Sequence, residues 1–189
     1  MDPDNLIARY DGVRARPDKR ETLAPDRWES ARTREQNETS WGVGALVETD
    51  AGVLLVRQGD KWFLPGGMHE HGETHAEGAA REVREETGVT VEITDLLAIT
   101  EQTFVHAEDG REFAFRFATF RGEPTDTTLA ANPGIEGETI DDVAWRETLP
   151  DNTFDRELVT RLRDLSSYAK RHHQPYAIGT CRQRAGAGA

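Results

Sequence analysis

Gly67, Glu73 and the run Arg81-Glu82-Val83-Arg84-Glu85-Glu86-Thr87-Gly88-Val89 constrain this chain more than any other feature. Thr74 followed three residues later by Glu77 reads as a capping box, and Gly88 stands where a left-handed residue would end a helix. Ala76, Ala79, Ala80 and Val83 supply small apolar contacts, so a helix is expected over residues 74–87. On it Glu82, Glu85 and Glu86 fall at i, i+3 and i+4 and project from one face. Like charges so close weaken a helix unless something positive sits among them, and a hard divalent cation with oxygen ligands meets that need. A solvated, salt-bridged face is the plainer account of such a run taken alone.

Upstream, Trp62-Phe63-Leu64-Pro65-Gly66-Gly67 reads as an apolar strand end entering a Pro-Gly-Gly turn, where bare backbone can approach a ligand or offer a carbonyl to a metal. Together these residues resemble the Nudix hydrolase family, whose signature is Gly-x5-Glu-x7-Arg-Glu-U-x-Glu-Glu-x-Gly-U with U a bulky aliphatic residue. Every specified position is filled, with Val83 and Val89 at the aliphatic places, and Val143 to Pro150 is similar to the family's late strand and turn. The resemblance implies an α/β fold of the Nudix type, an α/β/α sandwich with a mixed sheet. It implies hydrolysis of a nucleoside diphosphate linked to another moiety, with Mg²⁺ as cofactor and Mn²⁺ as the alternative. Carried over by position, it makes Glu85 and Glu86 metal ligands, Glu82 ligand or general base, and the Gly66 carbonyl a further metal contact. Glu73 and Arg81 become a structural ion pair. Many members recruit another carboxylate from the loop before the late strand; Glu136 and Glu138 are the candidates, with Glu138 preferred as catalytic base or extra ligand.

His69, His71 and His75 sit at variable positions of the same motif. Zinc is tempting, but their spacing spreads them over a loop and a helix start, and hard magnesium prefers oxygen. They are read as loop residues near the phosphates at most. Trp28, Trp41, Phe104 and the alternating Phe113, Phe115 and Phe117 could stack on a base, yet large aromatics usually belong to the core. Thr103-Phe104-Val105 stands where many ADP-ribose hydrolases of the family carry a proline and dinucleoside polyphosphate hydrolases a tyrosine, so the subgroup stays open.

Charge narrows the partners. The 189 residues hold 35 acidic and 23 basic side chains, a formal charge of -12, with lysine only at Lys19, Lys61 and Lys170. A negative surface repels nucleic-acid phosphates, which disfavours a nucleic-acid polymer and RNA processing while leaving a small nucleotide bridged by metal as partner. Surplus acid with scarce lysine also resembles a halophilic composition. Mean hydropathy is -0.70 and no long apolar run is present, so no membrane span is expected. The start Met1-Asp2-Pro3-Asp4-Asn5 lacks secretory features, and a lone Cys181 provides no internal disulfide, giving a cytoplasmic expectation.

Three segments are expected. Residues 1–39 form an N-terminal arm of thin periodicity, with short helical stretches near 4–13 and 26–36, that could pack on the core, cover substrate or mediate a homodimer. Residues 40–168 form the hydrolase domain. It opens on a hairpin with Val43, Ala45 and Val47 alternating before Asp50-Ala51-Gly52 and the run Val53 to Val56. Extended stretches follow over 91–93 and 96–105 and a strand over 113–118, then a loop over 125–137, a strand over 140–145 and an amphipathic helix over 155–168 with Leu158, Leu162 and Leu165 inward. Residues 169–189 form a flexible tail. A second function class is a Nudix-fold module that senses a nucleotide without hydrolysing it; such modules often lose motif carboxylates, and here all are present.

Overall fold

A computed structural model describes residues 2–10, 13–37, 40–131, 134 and 140–172. Glu136, Glu138, Cys181 and most of the expected tail lie outside the described residues.

The chain runs α1 (Pro3–Ile7), β1 (Asp18–Leu23), α2 (Pro25–Asn37), β2 (Trp41–Thr49), β3 (Gly52–Gln58), β4 (Lys61–Phe63), β5 (Gly66–Met68), α3 (His75–Thr87), β6 (Val91–His106), β7 (Glu112–Pro124), β8 (Asp142–Arg146) and α4 (Arg156–His172). The sheet order is β1-β6-β7-β2-β3-β4, with β5 added on β2 and β8 on β3. Two pairings, β1 with β6 and β2 with β7, are parallel and the rest antiparallel, so the sheet is mixed. β2 meets β3 only through Glu48 with Val53 and Thr49 with Gly52, beside the turn, so the two leaves splay and curl apart.

β2 is the hinge of the core. Its residues 41–47 are buried on both faces. Alternation sends Trp41, Val43, Ala45 and Val47 toward α3, where they meet Ala79 and Val83, and sends Leu46 toward Val159 and Leu162 of α4. The result is the α/β architecture expected, helices against both faces of a mixed sheet.

The structure departs from sequence expectation in three places. The segment before residue 40 contributes β1, parallel to β6 in the register Asp18 with Glu101 through Leu23 with His106. Only Leu23 of its six residues is buried, so an edge strand written Asp-Lys-Arg-Glu-Thr-Leu shows no apolar alternation. Charge suits such an edge, because it discourages pairing with another chain. Leu6, Ala15, Leu23 and Trp28 from the same segment enter the core. Second, Gly66-Gly67 is the short strand β5, paired with β2 as Gly44 with Gly66 and Val43 with Gly67, where a turn was expected. A Cβ built on Gly44 would stand 2.6 Å from the Pro65 carbonyl oxygen, so glycine there lets the strands close. Third, Leu165 is 36% exposed, while Val159 takes the inward place beside Leu162. The stripe of α4 is rotated by part of a turn from the one drawn through leucines alone.

Candidate functional site

α3 carries the acidic motif, and its ends are set locally. The Thr74 hydroxyl accepts from the Glu77 N–H at 3.2 Å, and the Thr74 N–H donates to the Glu77 carboxylate at 2.8 Å, completing a reciprocal capping box. At the other end Gly88 adopts φ 79°, and its N–H donates to the Arg84 carbonyl at 2.8 Å. Between these caps the buried stripe is His75, Gly78, Ala79, Glu82, Val83 and Glu86. Glu82 and Glu86 are only 3% and 2% exposed, at positions where an amphipathic helix would ordinarily place apolar residues.

Buried carboxylates need compensation. The Gly66 N–H donates to Glu86 Oε2 at 2.7 Å, which fixes the last acid of the helix to β5. Arg81 supplies most of the rest. Its Nη1 donates to Glu82 Oε1 at 2.9 Å and to Glu85 Oε2 at 3.0 Å, and its Nε and Nη2 clasp Glu73 at 3.1 and 3.0 Å. Nη2 also donates to the Met68 carbonyl at 3.0 Å, and Glu70 stands 3.7 Å from Nη1. One guanidinium therefore joins β5, the following loop and the helix. Hydrogen bonding to Glu73 raises its pKa, against burial, with Glu82 and Glu85 adding to the rise. Burial opposes ionisation of Glu73, but hydrogen bonds from Arg81 and the Glu70 N–H outweigh it and hold that carboxyl below its ordinary value.

Two glycines make these contacts feasible. A Cβ on Gly67 would stand 2.6 to 2.7 Å from the carboxylate atoms of Glu82, so bare backbone cradles that acid. A Cβ on Gly78 would meet Glu73 Oε1 at 2.5 Å, so a glycine in mid-helix lets the loop acid lie against α3. Gly78 belongs to no motif position, although an isolated glycine inside a helical pattern is the signal of a close approach.

The structure joins Glu82 and Glu85 directly to Arg81, closes Glu73 on Arg81 from the loop, and bonds Gly66 to Glu86. Glu138 and Glu136 lie outside the described residues. The histidines do not gather into a metal site: His71 is exposed, while His69 and His75 stack at 4.3 Å and His75 stands edge-on to Trp41 at 4.7 Å. Burial lowers the His75 pKa from 6.5 to about 4, with His69 adding to the effect. Trp28 and Trp41, each 3% exposed, are core residues.

Among the described residues, no three His, Cys, Asp or Glu side chains close into a metal cage; the carboxylates converge on Arg81 instead. The donors nevertheless fit a hard divalent cation. All are oxygens, and one guanidinium faces Glu70, Glu73, Glu82 and Glu85, leaving negative charge in excess.

Among the described residues no helix is long and apolar enough to cross a membrane. A family model described as the NUDIX domain matches residues 38–163. The MutT-like protein of Streptomyces ambofaciens is 44% identical over 62 residues, covering 32% of this chain and 40% of that protein. Nudix hydrolase 6 of Arabidopsis thaliana is 41% identical over 119 residues, 56% of this chain and 42% of its own length. The ADP-ribose pyrophosphatase of Methanocaldococcus jannaschii is 37% identical over 62 residues, 30% of this chain and 37% of that enzyme. The matched stretches span less than half the length of each of these relatives.

Proposed function

The chain belongs to the NUDIX family, and from that membership we propose that it is a magnesium-dependent cytoplasmic pyrophosphohydrolase that cleaves a nucleoside diphosphate linked to another moiety. An ADP-ribose-like compound or a nucleoside triphosphate is the substrate. The observation that carries this reading is the burial of Glu82 and Glu86 on the inner stripe of a helix that also bears Glu85, beside the glycine backbone of β5. Burying acids in a helix stripe sacrifices packing, and a role in holding cations and phosphates explains the arrangement where a solvated acidic face does not.

Glu82, Glu85, Glu86 and the Gly66 carbonyl would hold the cation, with Mn²⁺ able to replace Mg²⁺. When bound, it neutralises phosphate oxygens and makes a nearby water easier to deprotonate. The chain's own residues do the positioning. Arg81 fixes Glu82 and Glu85 relative to Glu73, so the carboxylates stay on one side of the helix. The Gly66 N–H orients Glu86. Either Glu82 or Glu138 takes the proton from the attacking water, Glu82 being the one whose carboxylate lies beside Gly67. The ADP-ribose pyrophosphatase among the similar proteins supports the first substrate class. A nucleotide sensor without turnover is the other reading of the fold, and the full set of motif carboxylates speaks against it.

Phosphate release through a coupled phosphatase tests this, with and without magnesium, on ADP-ribose, NADH, dinucleoside polyphosphates, sugar nucleotides and nucleoside triphosphates. Glu85→Gln and Glu86→Gln should each lower magnesium-dependent turnover by about 100-fold or more, since even outer-shell partners of a metal act on a 10–100-fold scale. Unchanged turnover in both variants refutes the assignment. Tight nucleotide binding with no product from any compound would favour the sensor.

A further inference from the structure

The loop between β5 and α3 closes on itself. Gly72 turns it at φ 96°, and the His69 ring nitrogen Nε2 stands 3.0 Å from the Glu73 carbonyl oxygen. A carbonyl only accepts, so Nε2 carries the proton and donates. The Glu70 N–H donates to Glu73 Oε1 at 2.8 Å, so Glu73 is held by its main chain and by its carboxylate at once. That carboxylate takes Nε and Nη2 of Arg81, whose Nη1 serves Glu82 and Glu85. The placement of Arg81 therefore depends on where the loop holds Glu73.

His69 is itself seated on the core. Its backbone N–H donates to the Trp41 carbonyl at 3.0 Å, one step beyond the Gly42 with Met68 pair of β2 and β5. Its ring lies on that of His75 with centroids 4.3 Å apart and planes 22° from parallel, and His75 meets the Trp41 ring edge-on at 4.7 Å. Trp41 and His75 are 3% and 4% exposed, so the stack stands on fixed side chains. His75 Nε2 is buried and has no hydrogen-bond partner among the described residues, so the contacts that place this side chain are those of a flat ring. Both histidines fall at unspecified positions of Gly-x5-Glu-x7-Arg, which makes them a feature of this chain rather than of the signature.

We infer that His69 and His75 are positioning residues: stacked between Trp41 and the Glu73 carbonyl, they hold Glu73 on Arg81 and thereby set how closely the guanidinium engages Glu82 and Glu85. Arg81 divides its donors among Glu73, the Met68 carbonyl and the two helix acids. When Glu73 drifts, the guanidinium is left to Glu82 and Glu85, and it then competes for them with a cation. A packing role at position 69 would be met by any flat ring, whereas only a donor reaches the Glu73 carbonyl. At position 75 a ring suffices. The consequence for magnesium rests on the pyrophosphohydrolase reading; the hold of His69 on Glu73 and Arg81 does not.

The test joins calorimetric titration with Mg²⁺ to nitrogen-15 NMR of the arginine Nε–H signals, on the full chain and its His69→Phe, His75→Ala and His75→Phe variants, with circular dichroism to verify folding. Arg81→Gln identifies the Arg81 signal by its loss and serves as a second background. His69→Phe, a ring without the donor, should shift the Arg81 signal and bind Mg²⁺ about tenfold more weakly, the lower end of the scale on which outer partners of a metal act. His75→Ala should do the same, and His75→Phe should return both readouts to wild type. In the Arg81→Gln background His69→Phe should change Mg²⁺ affinity by less than about twofold, because the group through which it acts is gone. A folded His69→Phe protein with the wild-type Arg81 signal and affinity, or one that loses as much affinity in the Arg81→Gln background as in wild type, overturns the inference. A wild type that binds no Mg²⁺, with an Arg81 signal that still moves in His69→Phe, leaves the positioning role standing and removes the magnesium-dependent enzyme reading.

Discussion

Arg81 and His75 show how single residues in this site depend on their surroundings. Arg81 holds the carboxylates of Glu73, Glu82 and Glu85 within 3.1 Å of its nitrogens while only 18% of its side chain is exposed. Removing it leaves three acids in a poorly solvated place. Arg81→Gln should therefore lower stability by about 3 kcal/mol in urea unfolding, the scale on which breaking a buried pair acts. Magnesium should raise the variant's unfolding midpoint more than wild type's, because the cation then supplies the missing positive charge; equal shifts would refute that. His75 makes a second prediction. Its pKa is lowered by burial from 6.5 to about 4, so the unfolded chain binds the extra proton first as pH falls. The stabilisation from keeping it neutral is fully present above pH 6.5 and is lost progressively down to about pH 4. The loss amounts to as much as about 3 kcal/mol at 1.36 kcal/mol per unit. His75→Phe, which retains a ring against Trp41, should unfold with a weaker pH dependence in that window than wild type, measured in urea at pH 7 and 4.5.

α3 shows what an element can carry in its own letters. Thr74, Glu77 and Gly88 fix both ends through contacts spanning at most four residues, so its limits are legible in the sequence. Thr74→Ala should cost about 1 kcal/mol, as lost N-caps do. Gly88→Ala should cost more, about 1–3 kcal/mol, because it forces a Cβ into φ 79° and 2.8 Å from the Ala130 nitrogen. Thermal and urea unfolding of both variants would check the order, and a Gly88→Ala protein as stable as wild type would contradict it. β1 and β5 are hidden for the opposite reason. Neither shows an apolar alternation, since β1 is a charged edge and β5 is Gly-Gly-Met, and both are strands only because β6 and β2 offer them hydrogen bonds.

At the scale of the whole molecule, a formal charge of -12 makes the compact state repel itself. If the composition is halophilic, molar potassium chloride should raise the urea midpoint by screening that repulsion; full stability at low salt with no gain from salt would count against the idea. The same molecule separates what is local from what is not. By itself the sequence determined the helix with its two caps, the period-2 strands, the order of hydrophobic segments and the spacing of Glu73, Arg81, Glu82, Glu85 and Glu86, because caps and periodicities act between near neighbours in the chain. Only the tertiary structure decided that Glu82 and Glu86 are buried, that Gly67 and Gly78 make room for carboxylates, and that Lys19 meets Asp155 across a cavity walled by Phe115 and Phe117. Those are contacts between segments that share no local pattern. They exist once the curled sheet has brought β1, β5, α3 and α4 together, since burial and close approach belong to the packed chain rather than to any one stretch of it.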